Sequence, residues 1–198
     1  MRRRWMAAGA ALVVLGTLAV GPPASAAPPP EQHCVVDVAT EEMNCYDSFR
    51  KAMAAASGGR ITDAPDDARA AAVDPAFRRL LSGGGRKLDG VGAAQQGFVA
   101  QADIVIGTMY EDDNYAGSTL TYRAPSGCTV PTTDVDWVVE LITPDSWNDE
   151  IGSFLAGGGG CWVSLFEHRS WLGASTPFAS MDDELGVLDD AASSIRWS

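Results

Sequence analysis

Tyr110-Glu111-Asp112-Asp113-Asn114-Tyr115-Ala116-Gly117-Ser118 has a second copy in register, Phe166-Glu167-His168-Arg169-Ser170-Trp171-Leu172-Gly173-Ala174, at an offset of 166 − 110 = 56 residues. In each, an aromatic residue is followed by Glu, a second aromatic stands five positions after the first, and a glycine stands seven after it. The pattern predicts a folded hairpin: the aromatics pack over the turn, and glycine takes a backbone conformation closed to residues with a Cβ. One such spacing means little, but two tandem copies define a duplicated unit. Each copy is followed by a second repeated element, Asn148-Asp149-Glu150-Ile151-Gly152-Ser153 and then Asp189-Asp190-Ala191-Ala192-Ser193-Ser194. Acids followed by hydroxyls in a short loop suit a hard cation, since calcium takes roughly six to eight oxygen ligands from carboxylates, carbonyls, hydroxyls and water. Asn, Asp and Ser are also ordinary turn residues, so it is the duplication that lifts these loops above plain acidic turns.

The surrounding chain has the texture of short strands, at 104–110, 118–123, 137–142, 153–156, 161–167 and 194–197, separated by Gly, Pro, Asn and Asp. Dense β-branched and aromatic residues with frequent turns predict an all-β sandwich. With the hairpins and loops in place, residues 102–198 resemble a βγ-crystallin domain, in which two Greek keys form one sandwich. The calcium motif of that family is two Asn/Asp residues, two variable positions, Ser or Thr, then Ser, and residues 189–194 fit it at every position. The resemblance implies paired Ca2+ sites, each completed by a backbone carbonyl from the folded hairpin of the partner key. Carried over, one site has Asp190, the Ala191 carbonyl and Ser193, with Asp189 leading the loop and a carbonyl near Glu111 completing the shell. The other has Asp149, the Glu150 carbonyl and a carbonyl near Glu167, with Asn148 leading the loop. Gly152 stands where the family has the liganding hydroxyl, so the Asn148 site is expected to be the weaker one. The first key is also the longer: 148 − 110 = 38 residues separate hairpin and loop, against 189 − 166 = 23 in the second. The excess spans residues 125–144.

Working outward, Arg2, Arg3 and Arg4 precede an apolar run from Ala7 to Val20 that is too short to span a bilayer, followed by Ala24-Ser25-Ala26. Residues 1–26 therefore read as a signal peptide, and the chain as secreted, with no membrane association after cleavage. Residues 27–82 read as a small α-helical region with one short strand at 34–38. Asp47 or Ser48 caps a first helix bearing Phe49, Ala52, Met53 and Ala56 on one face; a further turn or two is expected at 68–73, and a helix with Pro75 in its first turn ends at Gly83-Gly84-Gly85. So small a region buries little by itself and is expected to lean on its neighbour. Residues 83–101, rich in Gly, Ala and Gln, read as a linker. In an exported chain the four cysteines, Cys34, Cys45, Cys128 and Cys161, form two bridges rather than a zinc site. Of the three connectivities the local pairing, Cys34–Cys45 and Cys128–Cys161, is favoured because each bridge stays inside one compositional region.

The 198-residue chain carries 26 Asp and Glu against 14 Lys and Arg, a formal charge of −12. Loss of three arginines with the leader makes this −12 − 3 = −15. Such a chain repels phosphate backbones, which argues against nucleic acid as a partner and favours cations. The only histidines are His33, assigned to an extended leader, and His168, in a turn of the second hairpin, so no base stands beside a nucleophile. Residues 82–87 lack the spacing and terminal hydroxyl of a phosphate loop, and the acids of residues 134–145 lack the EF-hand glycine. Five tryptophans in a small β-domain read as core. The fold class expected is mainly β, a crystallin-like double Greek key after a small helical region. The function expected is a secreted, non-enzymatic calcium-binding module whose fold calcium stabilises. The alternative is a secreted peptidase inhibitor like the bacterial metalloproteinase inhibitors of crystallin-like fold, which would present the insertion around Cys128 to an extracellular protease.

Overall fold

The computed structural model describes residues 30–82, 103–129 and 134–198. The signal peptide, the linker and most of the proline-rich leader lie outside the described residues. Two sheets face each other across a core. The first key supplies β3 (Ile104–Asp112), β4 (Ala116–Ala124), β5 (Trp137–Val139) and β6 (Ser153–Ala156). The second supplies β7 (Val163–His168), β8 (Leu172–Ser175), β9 (Met181–Asp182) and β10 (Ser194–Trp197). Each key lends its third strand to the other: β4-β3-β6-β9 run side by side in one sheet, β5-β10-β7-β8 in the other. This reciprocal exchange is what two interlocked Greek keys require, and neither sheet is complete without a strand from the partner key. Inward-facing Ile106, Leu120, Phe154, Val163, Leu165, Ile195 and Trp197 fill the space between the sheets. The Trp197 and Tyr122 rings meet at 5.0 Å, tilted by 60°.

The first sheet continues beyond β4. β1 (His33–Asp37) pairs in parallel with β4, and β2 (Met43–Tyr46) pairs antiparallel with β1, which makes six strands in the order β2-β1-β4-β3-β6-β9. Cys34 and Cys45 are directly opposed across β1 and β2 and are bridged; Cys128 and Cys161 are bridged as well, with Cα atoms 4.9 Å apart. Both local pairings are therefore present, and the second ties the insertion of the first key to the strand entering the second.

Three short helices, α1 (Phe49–Ala56), α2 (Ala68–Val73) and α3 (Pro75–Ser82), cover the outer face of the first sheet. Ser48 caps α1, its hydroxyl accepting from the Lys51 amide, and Asp67 caps α2 through the Ala70 amide. The apolar faces of the helices, Phe49, Met53, Phe77 and Leu81, form one cluster with Val35, Val105, Tyr110 and Leu155 of the sheet and Tyr115 of the turn between β3 and β4. The helical region thus shares its core with the outward face of β3 and β6. Each fully buried Phe or Met there contributes on the order of 1.5–3 kcal/mol. The tryptophans divide: Trp197 and Trp147 are buried, Trp137 and Trp171 half-buried, and Trp162 exposed, which corrects the expectation that all five are core. His33 is not in an extended leader either. It opens β1, is buried, and its Nδ1 lies 3.0 Å from the Thr119 hydroxyl. Burial lowers its pKa, against a smaller opposing pull from Asp67.

Candidate metal centre

The two folded hairpins have the same backbone. Asn114 and Tyr115 take φ of 57° and 63°, and Ser170 and Trp171 take 56° and 61°, so the left-handed pair recurs at matched positions. Gly117 and Gly173 follow with φ of 75° and 82°, where a Cβ would also strike the Asp112 or Glu167 carboxylate at 2.8 Å. Glu111 and Glu167 each staple their hairpin: the Oε2 of Glu111 accepts from the Ser118 amide, and that of Glu167 from the Ala174 amide, both at 3.0 Å. The glutamate side chains are thereby committed to the fold, and what they offer an ion is the main-chain carbonyl. In the first hairpin Tyr110 and Tyr115 meet edge-to-face at 5.4 Å. In the second, Phe166 and Trp171 instead hold the Arg196 guanidinium, 5.4 and 4.3 Å from the ring centres.

The last serine of each acidic loop locks the loop to the hairpin of its own key. Ser153 Oγ donates to the Asp112 carbonyl and accepts from the Tyr115 amide; Ser194 Oγ does the same with the His168 carbonyl and the Trp171 amide. The preceding residues repeat the relation, Gly152 N donating to Tyr110 O and Ser193 N to Phe166 O. The two loops also pair with each other, the Asp149 amide donating to Ala192 O and the Asp190 amide to Ile151 O. Asp149 and Asp190 both take positive φ, 62° and 51°, and both are exposed. Each loop thus donates the amide of its second residue to the carbonyl of the fourth residue of the other.

The Ser193 hydroxyl donates to Asp149 Oδ1 at 3.0 Å, which brings the second loop's serine to the first loop's acid. One candidate set is Asp149, the Glu150 carbonyl, Ser193 and the hairpin at Glu167. The other is Asp190, the Ala191 carbonyl and the hairpin at Glu111, and Gly152 occupies its hydroxyl position. A Cβ at Gly152 would come within 2.6 Å of the Asp112 carbonyl carbon, 2.7 Å of the Asp113 amide and 3.0 Å of Glu111 O. The vacancy is filled by hairpin backbone. In this grouping the set without a hydroxyl is that of Asp190. Asn148 gives its amide to Asp149 Oδ2 at 2.7 Å, and its Oδ1 is buried without a hydrogen-bond partner, as is Asp113 Oδ1. Asp189 leads its loop from an exposed position, its amide donating to Gly186 O.

The donor set fits a hard cation: one carboxylate, a hydroxyl, main-chain carbonyls, and an unpartnered Asn148 oxygen close by. Among the described residues no three His, Cys, Asp or Glu side chains converge, so any ion held here depends on neutral oxygens for most of its shell.

The β region has the double Greek-key fold of the βγ-crystallins. The strand exchange and the twin hairpin-loop pairs carry that statement. Among solved structures, the N-terminal domain of Protein S is similar at 19% identity, over 47% of this chain and 94% of that one, with a TM-score of 0.36. A βγ-crystallin domain from Flavobacterium johnsoniae is similar at 28% identity, over 47% and 93% of the two chains, with a TM-score of 0.34. One from Clostridium beijerinckii is similar at 21% identity, over 46% and 95%, with a TM-score of 0.36. No family model and no curated protein matches the chain. The segment bearing β1, β2 and the three helices precedes this crystallin-like half. Its role as the cover of one sheet was not legible beyond the expectation that it needs a neighbour. The signal available was the apolar face of α1 together with an apolar, outward-facing Tyr110 and Leu155 on strands already buried on their other side.

Proposed function

We propose that the chain is a secreted, non-enzymatic calcium-binding module in which one site, built by Asp149, Ser193 and the carbonyls of Glu150 and Glu167, stabilises the fold. The observation that carries this reading is the 3.0 Å contact between Ser193 and Asp149, which come from different keys. An ion binding both would fasten one Greek key to the other. Calcium supplies positive charge to the exposed Asp149 carboxylate, which accepts from Ser193 and Asn148 but pairs with no cation among the described residues, and it binds the native state alone, because the set does not exist in the unfolded chain. Asp190, lacking the hydroxyl, contributes a weaker second site or none.

Export is supported by the sequence of the leader and by two disulfides, which persist in oxidising compartments. Among the described residues no helix is long and apolar enough to cross a membrane. In the protease-inhibitor alternative the insertion would be presented as a rigid loop. Part of that insertion, Trp137–Val139, is instead strand β5, and Ile142 is fully buried in the core. Thermal denaturation of the exported chain in calcium and in chelator tests the reading, with thermolysin-like and subtilisin-like protease assays beside it. A calcium-dependent rise in the midpoint with both proteases unaffected is expected; no thermal response, or inhibition of either protease, overturns it.

A further inference from the structure

The cover of helices over the first sheet leaves a cavity of about 500 Å3 where α3 meets the connection between β6 and β7 and the start of β9. Its lining includes Arg78, Arg79, Trp162 and Met181, with main chain from Gly157 and Gly160, and it includes no acidic residue. That is unexpected in a chain with 26 acids and 14 basic residues. Neither arginine makes an ion pair among the described residues; Asp182, next to Met181, pairs with neither. Arg79 is exposed, lines the cavity and spends its Nε on the Pro75 carbonyl. Arg78 is partly buried: its Nη1 meets only the weakly accepting Met181 sulfur at 3.4 Å, and its Nε is shielded from solvent with no hydrogen-bond partner. With no oxygen acceptor among the described residues, the Arg78 guanidinium is matched by a carboxylate, whose two oxygens fit the planar fork. Trp162, 43% exposed, adds a flat apolar face to the same cavity. A volume of this size accepts a small ring-bearing ligand.

We propose that this cavity binds a carboxylate carried on a ring-sized body, with Arg78 taking the carboxylate, Arg79 reinforcing it at the mouth and Trp162 packing against the ring. An aromatic acid and a sugar acid share this chemistry, and the site is separate from the acidic loops. The test uses the full exported chain and two acid–neutral pairs, phenylacetate with phenylacetamide and glucuronate with glucose, titrated by calorimetry and by the indole NMR signal of Trp162, assigned with Trp162→Phe. At least one acid is expected to bind roughly tenfold more tightly than its neutral partner and to shift that signal. Arg78→Gln is expected to abolish the preference, Arg78→Lys to retain only part of it through loss of the fork, and Arg79→Gln to weaken it less. The pair showing the preference identifies the source. Equal binding of acid and neutral partner in both pairs, no binding of either acid, or an undiminished preference in Arg78→Gln overturns the proposal. Should Arg78→Gln fail to fold, the acid–neutral comparison on the unaltered chain decides alone.

Discussion

Replacing Asp149 by glycine should abolish the calcium response of the fold, whereas the same change at Asp190 should leave most of it. Glycine is the informative substitution because both residues take positive φ, 62° and 51°, so it removes the carboxylate without adding backbone strain. With one carboxylate and mostly neutral oxygens, the site belongs with extracellular calcium modules, with Kd on the order of 10−4 to 10−3 M. At roughly 10 mM calcium such a site adds about 1.4–2.7 kcal/mol to native-state stability. For a protein of this size that is a rise of roughly 3–10 °C in Tm. Differential scanning calorimetry in calcium and in chelator reads it. The rise should vanish in Asp149→Gly and in Ser193→Ala, which removes the hydroxyl 3.0 Å from Asp149, and persist in Asp190→Gly. A rise lost in Asp190→Gly and kept in Asp149→Gly would refute the grouping of Ser193 with Asp149.

Phe49 is fully buried and meets His33 and Phe77 edge-on, each at 5.8 Å, so Phe49→Ala should cost about 3–5 kcal/mol and lower the single unfolding transition of the whole chain; a separate early transition with the main one unmoved would show that the helices do not share the core. Gly152→Ser should not create a second strong calcium site. Its Cβ meets hairpin backbone at 2.6 Å, so chemical denaturation should show a loss of about 1–3 kcal/mol instead. His33 is buried with its pKa lowered, so the native state takes up its proton less readily than the unfolded chain. Stability from this group is complete above its unfolded value of about 6.5 and is lost as pH falls from there through the lowered folded value. Denaturation between pH 7 and 5 should show that slope in the native sequence and a flatter one in His33→Gln.

Much of the β half was legible because duplication supplies its own control. The strand positions at 153–156 and 194–197, both hairpins and both acidic loops follow from the two copies read against each other. Leu172–Ser175 and Met181–Asp182 escaped notice. The first is wholly exposed and carries no alternation, and the second has two residues and exists only because a strand of the partner key lies beside it. β2 was hidden for the same reason: Met43–Tyr46 is largely exposed and takes its conformation from β1 and the Cys34–Cys45 bridge. Two helices were readable from caps and punctuation, Ser48 before α1 and Asp74-Pro75 at the start of α3, whereas α2 was expected only as a further turn or two and its Asp67 cap carried no signal that was read. What the helices cover was not readable, since contact across the sheet is a tertiary fact. The contact of Ser193 with Asp149 was hidden for a related reason: linear order places Ser193 beside Asp190, and no local signal in a single loop records which residue of the other loop it meets.

The most direct test of calcium fastening the two keys is isothermal titration of the exported, disulfide-intact chain with calcium. One binding event per chain, eliminated in Ser193→Ala, is the predicted result; no binding heat at millimolar calcium, or two equal sites indifferent to Ser193, would contradict it.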